Sequence, residues 1–499
     1  MSSPSAAPSS SGPARRDARW VEGPFSPASL ALALVTALTL AELLGGWRQA
    51  AVIGMAPLIA YLGLAWGRLM INARILIVFC AGLAVLAAMR PDASTILTAA
   101  SVRSIYLPAF IAMLGLLRAA ASGSEVVAAA GRHLVNQPPR RRYLALSLGG
   151  QVFGILFNVG GLALLIDMTK RANTLEAASG DPEVVAWRER RMTVAVLRGF
   201  GAIAFWSPLG IALNFILASV PGIAWADVAP AGFLCMLGFI GLGWAFDHVQ
   251  RPATLRAAQR PVEPRGTAAV ASVVAHVVAV TALAGTVEYA SRLPFQTVLL
   301  IVIPLYALGW ALGSRIAARD ETPLRSGLAL ILERGVKQFP NYANEICVFA
   351  ASGFLGVTLA ALIPKEALQA FFVTLTLPPG AIAGLVSLSV AVLALLGVNP
   401  MISAAILAGT LSAITIPGLS KLVLVLAIAG RLGVQWRRLA DEFERRDDCG
   451  ARRPQAMAGR HELERQLRRN RARTRDGAVL APGAGTVRAA SAMVRCRQG

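Results

Sequence analysis

YLALSLGGQVFGILFNVGGLALLIDM, residues 143–168, is long and apolar enough to cross a bilayer, yet both of its flanks are basic. A spanning helix needs roughly 20 mostly apolar residues. Arg140, Arg141 and Arg142 precede the stretch, and Lys170, Arg171, Arg188, Arg190 and Arg191 follow it. Loops kept in the cytoplasm carry the excess of Lys and Arg. Both ends therefore belong on one side, and the segment is predicted to be a re-entrant hairpin. Its middle, Phe157-Asn158-Val159-Gly160-Gly161, is the natural place for two half-helices to part. Irregular backbone at membrane depth is tolerated only where protein or a water-filled cavity surrounds it. A hairpin of this kind needs other helices around it.

The remainder of the chain supplies them. Hydrophobic residues make up 56% of its 499 residues and charged residues only 15%, against about 25% charged in an ordinary soluble domain. That excludes most soluble enzymes and disordered scaffolds. Ten spans are predicted at 26–44, 51–67, 74–89, 104–121, 192–220, 228–246, 267–290, 296–313, 344–363 and 413–430. The fold class is an all-α polytopic membrane protein. A second apolar segment, 381–411, is also predicted to be a hairpin, with its tip at Gly397-Val398-Asn399-Pro400.

Arginine placement orients these spans. Arg15, Arg16 and Arg19 put the N-terminus inside, and the basic loops after 51–67, 104–121, 228–246 and 296–313 are inside with it. The resulting organisation is a disordered lead-in (1–25), a first membrane half (26–246), a cytoplasmic loop (247–266), a second half (267–430) and an Arg-rich tail (431–499). The tail carries 17 Arg against 8 acidic residues. The net charge of +21 is thus mainly a cytoplasmic topology signal and not a nucleic-acid surface. The expected location is the cell inner membrane, with both termini cytoplasmic.

The two halves repeat one order in opposite orientations. Three spans are followed by a short segment (Ser124–Val135, then Lys365–Thr376), a hairpin and a broken span. Phe157-Asn158-Val159-Gly160-Gly161 matches Gly397-Val398-Asn399-Pro400. Trp206-Ser207-Pro208-Leu209-Gly210 matches Ile416-Pro417-Gly418-Leu419-Ser420. Inverted repeats with paired Gly/Pro interruptions point to a secondary transporter with a midplane site.

With Asn158 at a tip, then Ser207-Pro208-Leu209-Gly210 and Asn214, the stretch 51–430 resembles the ion transporter superfamily. That group includes divalent anion/sodium symporters and arsenite-efflux permeases. The resemblance implies an ion-coupled permease that moves by an elevator-like or rocking motion about its hairpins. The Ser-Asn-Thr tripeptide of the anion symporters is absent from both tips, and Ile211-Ala212-Leu213 stands where that family has Thr-Pro-Pro.

Half-helix N-termini favour anionic groups, and freed carbonyls favour cations. One half of a substrate site is predicted from Asn158, Gly160, Gly161, Ser207, Pro208, Gly210 and Asn214. The other half comes from Asn399, Ser403, Thr415, Gly418, Ser420 and Lys421. Lys421 falls near the middle of span 413–430, where a charge is costly and by default marks a function; the bland alternative is a lysine that snorkels to the interface. Arg198 either faces the cavity or marks a late helix start. Glu345 and Asn344 are read as helix-start residues, Asp167 as interfacial, and Glu42 and Glu288 as near span ends. His276 and the scattered Cys80, Cys235 and Cys347 are read as packing residues.

Two classes of function remain. The favoured one is a secondary transporter for a small, anionic solute, coupled to Na+ or H+, with a cation/proton antiporter as runner-up. The other is a membrane enzyme or structural protein. The sequence offers no Walker motif, no nucleophile paired with a base and no second His to complete His461-Glu462 as a zinc site. The expected partners are a small-molecule or ion substrate and the lipid bilayer, without nucleic acid or cofactor. A homodimer is left open.

Overall fold

Helix starts follow the punctuation in the sequence. Ser26 Oγ accepts the N–H of Ser29 at 3.2 Å and Pro27 fills the first turn of α1 (Pro27–Gly45), which Gly46 ends at φ 65°. α2 (Arg48–Leu64), α3 (Ile71–Ala88) and α4 (Ala93–Ser122) follow. Then come α5 (Glu125–Val135), α6 (Pro139–Phe157), α7 (Val159–Ala172), α8 (Pro182–Trp206), α9 (Ile211–Ser219) and α10 (Trp225–Val249). The second half holds α11 (Arg265–Ser291), α12 (Phe295–Ala317), α13 (Pro323–Arg334), a 3₁₀ segment (Val336–Tyr342) and α14 (Ala343–Leu362). It ends with α15 (Lys365–Thr374), α16 (Pro379–Leu395), α17 (Pro400–Ser412) and α18 (Lys421–Val434).

This computed structural model describes residues 25–178, 180–249, 265–374, 377–396, 398–416 and 418–434. Most of the N-terminal lead-in, most of the 247–266 loop, nearly all of the tail, and Gly397 and Pro417 lie outside them. Among the described residues there is no strand. Eight helices or helix pairs among the described residues are long and apolar enough to cross a membrane: α1, α3, α4, α8–α9, α10, α11, α12 and α13–α14. The chain is an all-α polytopic membrane protein.

Four boundaries differ from the sequence expectation. The 51–67 span is a helix of 17 residues, α2. The 192–220 span begins at Pro182, because Asp181 Oδ1 accepts the Glu183 N–H at 2.8 Å and caps α8; its first turns are polar and escape an apolar scan. The basic loop expected after 296–313 contains α13, which starts after an Asp320 turn that accepts the Thr322 N–H at 2.9 Å. The 413–430 span is corrected most. The described residues between α17 and α18 are not helical, and α18 starts at Lys421.

The first hairpin is one residue wide. Asn158 takes φ 53° and ψ −136°, a reversal that an asparagine tolerates better than most side chains. Gly161 then faces the Phe153 carbonyl and Gly149 faces the Leu165 side chain, so α7 returns antiparallel to α6. The second hairpin turns at Asn399, whose side chain accepts the Met401 N–H at 2.9 Å and starts α17 at Pro400. α16 begins beside Gly418, and α17 ends with Ser412 Oγ donating to the Ser219 carbonyl at 3.4 Å.

Glycine permits the closest helix approach. α8 runs parallel to α6: Ser147 Oγ donates to the Ala195 carbonyl at 3.1 Å, Gly150 lies on Val196 and Gly199 on the Ser147 carbonyl. α10 returns antiparallel, tied by the Arg191–Asp247 ion pair. Arg198 Nη1 donates to Tyr143 Oη and the Gly243 carbonyl, both at 3.1 Å, so it joins α6, α8 and α10. α4 packs on α14 with Gly115 at the Tyr342 ring and Gly353 at the Arg103 carbonyl, an antiparallel pairing. α18 packs antiparallel on α8, with Gly430 at the Phe205 ring. The α4/α14 and α8/α18 pairs join spans that the sequence expectation places at corresponding positions of its two halves.

A methyl group at Gly199 would strike the Ser147 backbone, which a flexible side chain cannot relieve. Gly199→Ala is expected to cost about 2 kcal/mol, read as a lower Tm in detergent. Gly285→Ala, where an added Cβ meets nothing within 4 Å, leaves Tm unchanged or raises it.

Candidate functional site

α8 stops at Trp206 because Ser207, Pro208, Leu209 and Gly210 intervene before α9. Ser207 and Gly210 are extended, with ψ 124° and 121°, and Pro208 has no N–H to give. Carbonyls freed this way need partners in an apolar surround. Trp206 O accepts the Trp225 indole N–H at 2.9 Å. Asn214 Nδ2 donates to the Pro208 carbonyl, and also to the Gly210 carbonyl at 3.1 Å. Asn214 Oδ1 accepts from Tyr106 Oη on α4 at 3.5 Å. Gln151 on α6 accepts the Trp206 indole N–H at 2.9 Å. Asn214 is thus occupied in holding the break together.

Two hydroxyls near the interruptions are left over. Ser207 Oγ at the break and Ser403 Oγ in the first turn of α17 are buried, at 0% and 1% exposure, and neither has a hydrogen-bond partner. Buried hydroxyls are nearly always partnered. Each belongs to the interrupted region of its own half.

The N-terminal half of α14 is the wall these elements share. Asn158 Nδ2 donates to Glu345 Oε2 at 3.5 Å. One turn on, Phe349 meets Phe215 of α9 edge to face at 5.9 Å. Ile402 of α17 packs on the cluster that includes Val348, Ala351 and Leu355. The first tip, the helix after the break and the helix after the second tip therefore all touch α14, the first two within its first two turns and α17 at Gly356. Asn158 is half-buried, Gly161 is a packing glycine, and Pro208 and Gly210 act through their backbone. Gly160 is exposed.

The remaining predicted residues lie elsewhere. Thr415, Gly418, Ser420 and Lys421 are exposed. Ser420 Oγ accepts the Val423 N–H at 3.3 Å and so caps α18. Lys421 Nζ donates to the Pro221 carbonyl at 2.6 Å, in the turn after α9. The expected mid-span depth of Lys421 is corrected: the non-helical stretch before it delays the helix until the chain has reached the end of its neighbours.

Tyr106, Gln151 and Trp225 were not singled out in the sequence, although Gln151 is a polar residue inside the apolar run that defined the hairpin. His276 packs as expected, with Nδ1 2.8 Å from Tyr306 Oη and its ring stacked on Trp310 at 3.8 Å. Cys347 and Cys80 pack against the Ala73 and Ala351 carbonyls. Among the described residues, no three His, Cys, Asp or Glu side chains are placed to hold a metal ion.

No family model matches this chain, and no curated protein matches it. Among solved structures, it is similar to the Alcanivorax borkumensis YdaH transporter, whose crystal structure is described as having an unusual topology. The two share 17% identity at a TM-score of 0.44, over 76% of this chain and 91% of that one. At that distance the likeness carries no argument about the site.

Asn214→Ala strands the Pro208 carbonyl and is expected to destabilise the protein by about 2 kcal/mol, with a lower Tm in detergent as the readout. Tyr106→Phe removes one long hydrogen bond and costs less than about 1 kcal/mol in the same measurement.

Proposed function

We propose that this chain is a secondary active transporter for a small anionic solute, driven by an ion gradient, with its site between the two hairpins and the α8–α9 break. The observation that carries this reading is the pair of buried, unpartnered hydroxyls, Ser207 and Ser403, one at each half's interruption. A buried hydroxyl without a partner is a donor and acceptor that a solute can take up.

An anion is favoured by the three helix starts at these interruptions. α7 starts after Asn158, α9 after Gly210 and α17 after Asn399. Helix N-termini present free N–H groups and partial positive charge. The antiparallel pairs α4/α14 and α8/α18 give a two-fold frame in which hairpins can open to alternate sides. The location that fits is the inner membrane of a cell, with both termini cytoplasmic. A cation/proton antiporter is the second reading, and the placement of Glu345 beside Asn158 is the observation in its favour.

Uptake into proteoliposomes is the test, across mono- and dicarboxylates, sulfate and arsenite, with imposed Na+ or H+ gradients. Gradient-driven accumulation of one solute is expected. Movement of Na+ or K+ against a proton gradient, with no solute moved, would select the antiporter instead. Ser207→Ala and Ser403→Ala should each raise the half-saturating concentration about tenfold, the loss of one hydrogen bond to a charged ligand of about 1.5 kcal/mol. Lys421→Gln should change it by less than about twofold, the range of an exposed charge.

A further inference from the structure

We infer that Arg103 of α4 is the residue that holds the transported solute, through a carboxylate group gripped by its guanidinium fork. The inference rests on the transporter reading above and names the substrate class and its charged partner.

α4 is enclosed by protein. It packs on α1, α2, α9, α12 and α14, and 89% of its apolar window is buried. Arg103 is half-buried in this helix, and residues 104–115 after it are all buried. The backbone fixes its depth. The Arg103 carbonyl and Cβ face Gly353, the eleventh of the 20 residues of α14. One turn before Gly353, Phe349 meets Phe215 of α9; one turn after it, Gly356 faces Ala405 of α17. On α4 itself, Tyr106 is one turn from Arg103 and bonds Asn214 beside the α8–α9 break. Arg103 therefore sits level with the middle of α14, between its contacts to the two helices that follow the interruptions.

A charge at this depth is costly and by default marks a function. Other arginines of the packed spans are engaged. Arg118 lies over the Tyr342 ring at 5.2 Å, Arg191 pairs with Asp247, and Arg198 is held by Tyr143 and the Gly243 carbonyl. Among the described residues, the Arg103 guanidinium makes no hydrogen bond, ion pair or ring contact. Its nitrogens, unlike Arg118 Nη2, keep accessible surface, so the fork is reachable.

The carboxylate within electrostatic range is Glu42 of α1. Thr39, one turn before it, donates to the Ile105 carbonyl at 3.4 Å and sets it at this level. Arg48, at the start of α2, acts on Glu42 more strongly than Arg103 does. Two arginines thus share one carboxylate, and one positive charge is left over. α9 and α17 carry no titratable side chain, and the acid of α14, Glu345, lies in its first turn. A guanidinium is planar, stays charged and meets a carboxylate with two parallel N–H···O bonds. A solute carboxylate supplies both the missing acceptors and the missing negative charge.

Carboxylate and carboxamide probes test this on the full chain in lipid nanodiscs: acetate, benzoate and succinate against acetamide, benzamide and succinamide. The apparent Kd comes from the rise in Tm with probe concentration. At least one carboxylate is expected to raise Tm, and its amide to leave it unchanged. Arg103→Gln should weaken that carboxylate at least about thirtyfold, the loss of a hydrogen-bonded charge partner. Arg103→Lys should weaken it about tenfold, the loss of one of two charged hydrogen bonds. The lysine variant keeps the charge, so it carries the test if Arg103→Gln does not fold. Glu42→Gln removes a competing anion and should tighten binding about threefold. Arg90→Gln, at an exposed residue paired with Asp92, should leave it unchanged. Equal stabilisation by acid and amide, no carboxylate that raises Tm, or an unchanged Kd in the Arg103 variants overturns the inference. Carboxylate uptake at the same half-saturating concentration in parent and Arg103 variants overturns it too, and leaves the transporter reading standing. Arg103-dependent binding with no uptake under any gradient supports the site and sinks the transporter reading.

Discussion

A helix interrupted inside hydrocarbon frees carbonyl groups that have no water to turn to, and the arrangement around Ser207–Gly210 answers that constraint. Each freed group that needs a donor draws one from a different direction. Asn214 comes from α9 itself, Trp225 from the start of α10, and Tyr106 from α4 steadies Asn214 in turn. Satisfying the break therefore fixes three helices around it. The same requirement explains the second hairpin, where Asn399 spends its side chain on the Met401 N–H. Asn158 is the exception. It makes a one-residue reversal and gives its side chain to another element.

Backbone proximity is the second organising fact. Apolar side chains gain little from leaving lipid for one another, so membrane helices associate by close packing and by hydrogen bonds. Gly150, Gly154 and Gly199 bring α6 and α8 together, and Gly232 and Gly243 bring α10 onto α8. Gly353 and Gly356 do the same on α14, against α4 and α17. α14 becomes a central wall because Gly353 and Gly356 admit backbone along the same stripe that carries Glu345 and Phe349. The moving parts of a rocking mechanism would have to slide on these glycine surfaces.

The hairpin at 143–168 could be read from charge alone, because Arg140–Arg142 and Lys170–Arg171 cannot sit on opposite sides at reasonable cost. The break at Ser207–Gly210 could be read from proline and glycine. Lys421 could not be placed, since its depth depends on where α18 begins, and that is set by the non-helical stretch before it and by Pro221, a residue 200 positions away. Asn214 looked like a ligand for solute and is spent on backbone carbonyls. Glu345 looked like a helix-start residue, which it is, but nothing local to it announced that Asn158 would arrive opposite. Tyr106 and Trp225 lie in other spans, and their roles as partners of the break exist only once those spans are packed.

The sequence by itself determined that the chain is helical and membrane-embedded, that it turns back on itself at Asn158, and that one later span is broken. Those features follow from hydropathy, from the cost of moving arginine across a bilayer, and from the missing N–H of proline. All three act over a few residues. Tertiary structure decided which polar groups are consumed by the fold and which are left over. Ser207 and Ser403 remain unpartnered while Asn214, Ser420 and Lys421 do not. Hydrogen-bond supply is a property of the packed set of helices, because the donors and acceptors that meet come from segments hundreds of residues apart.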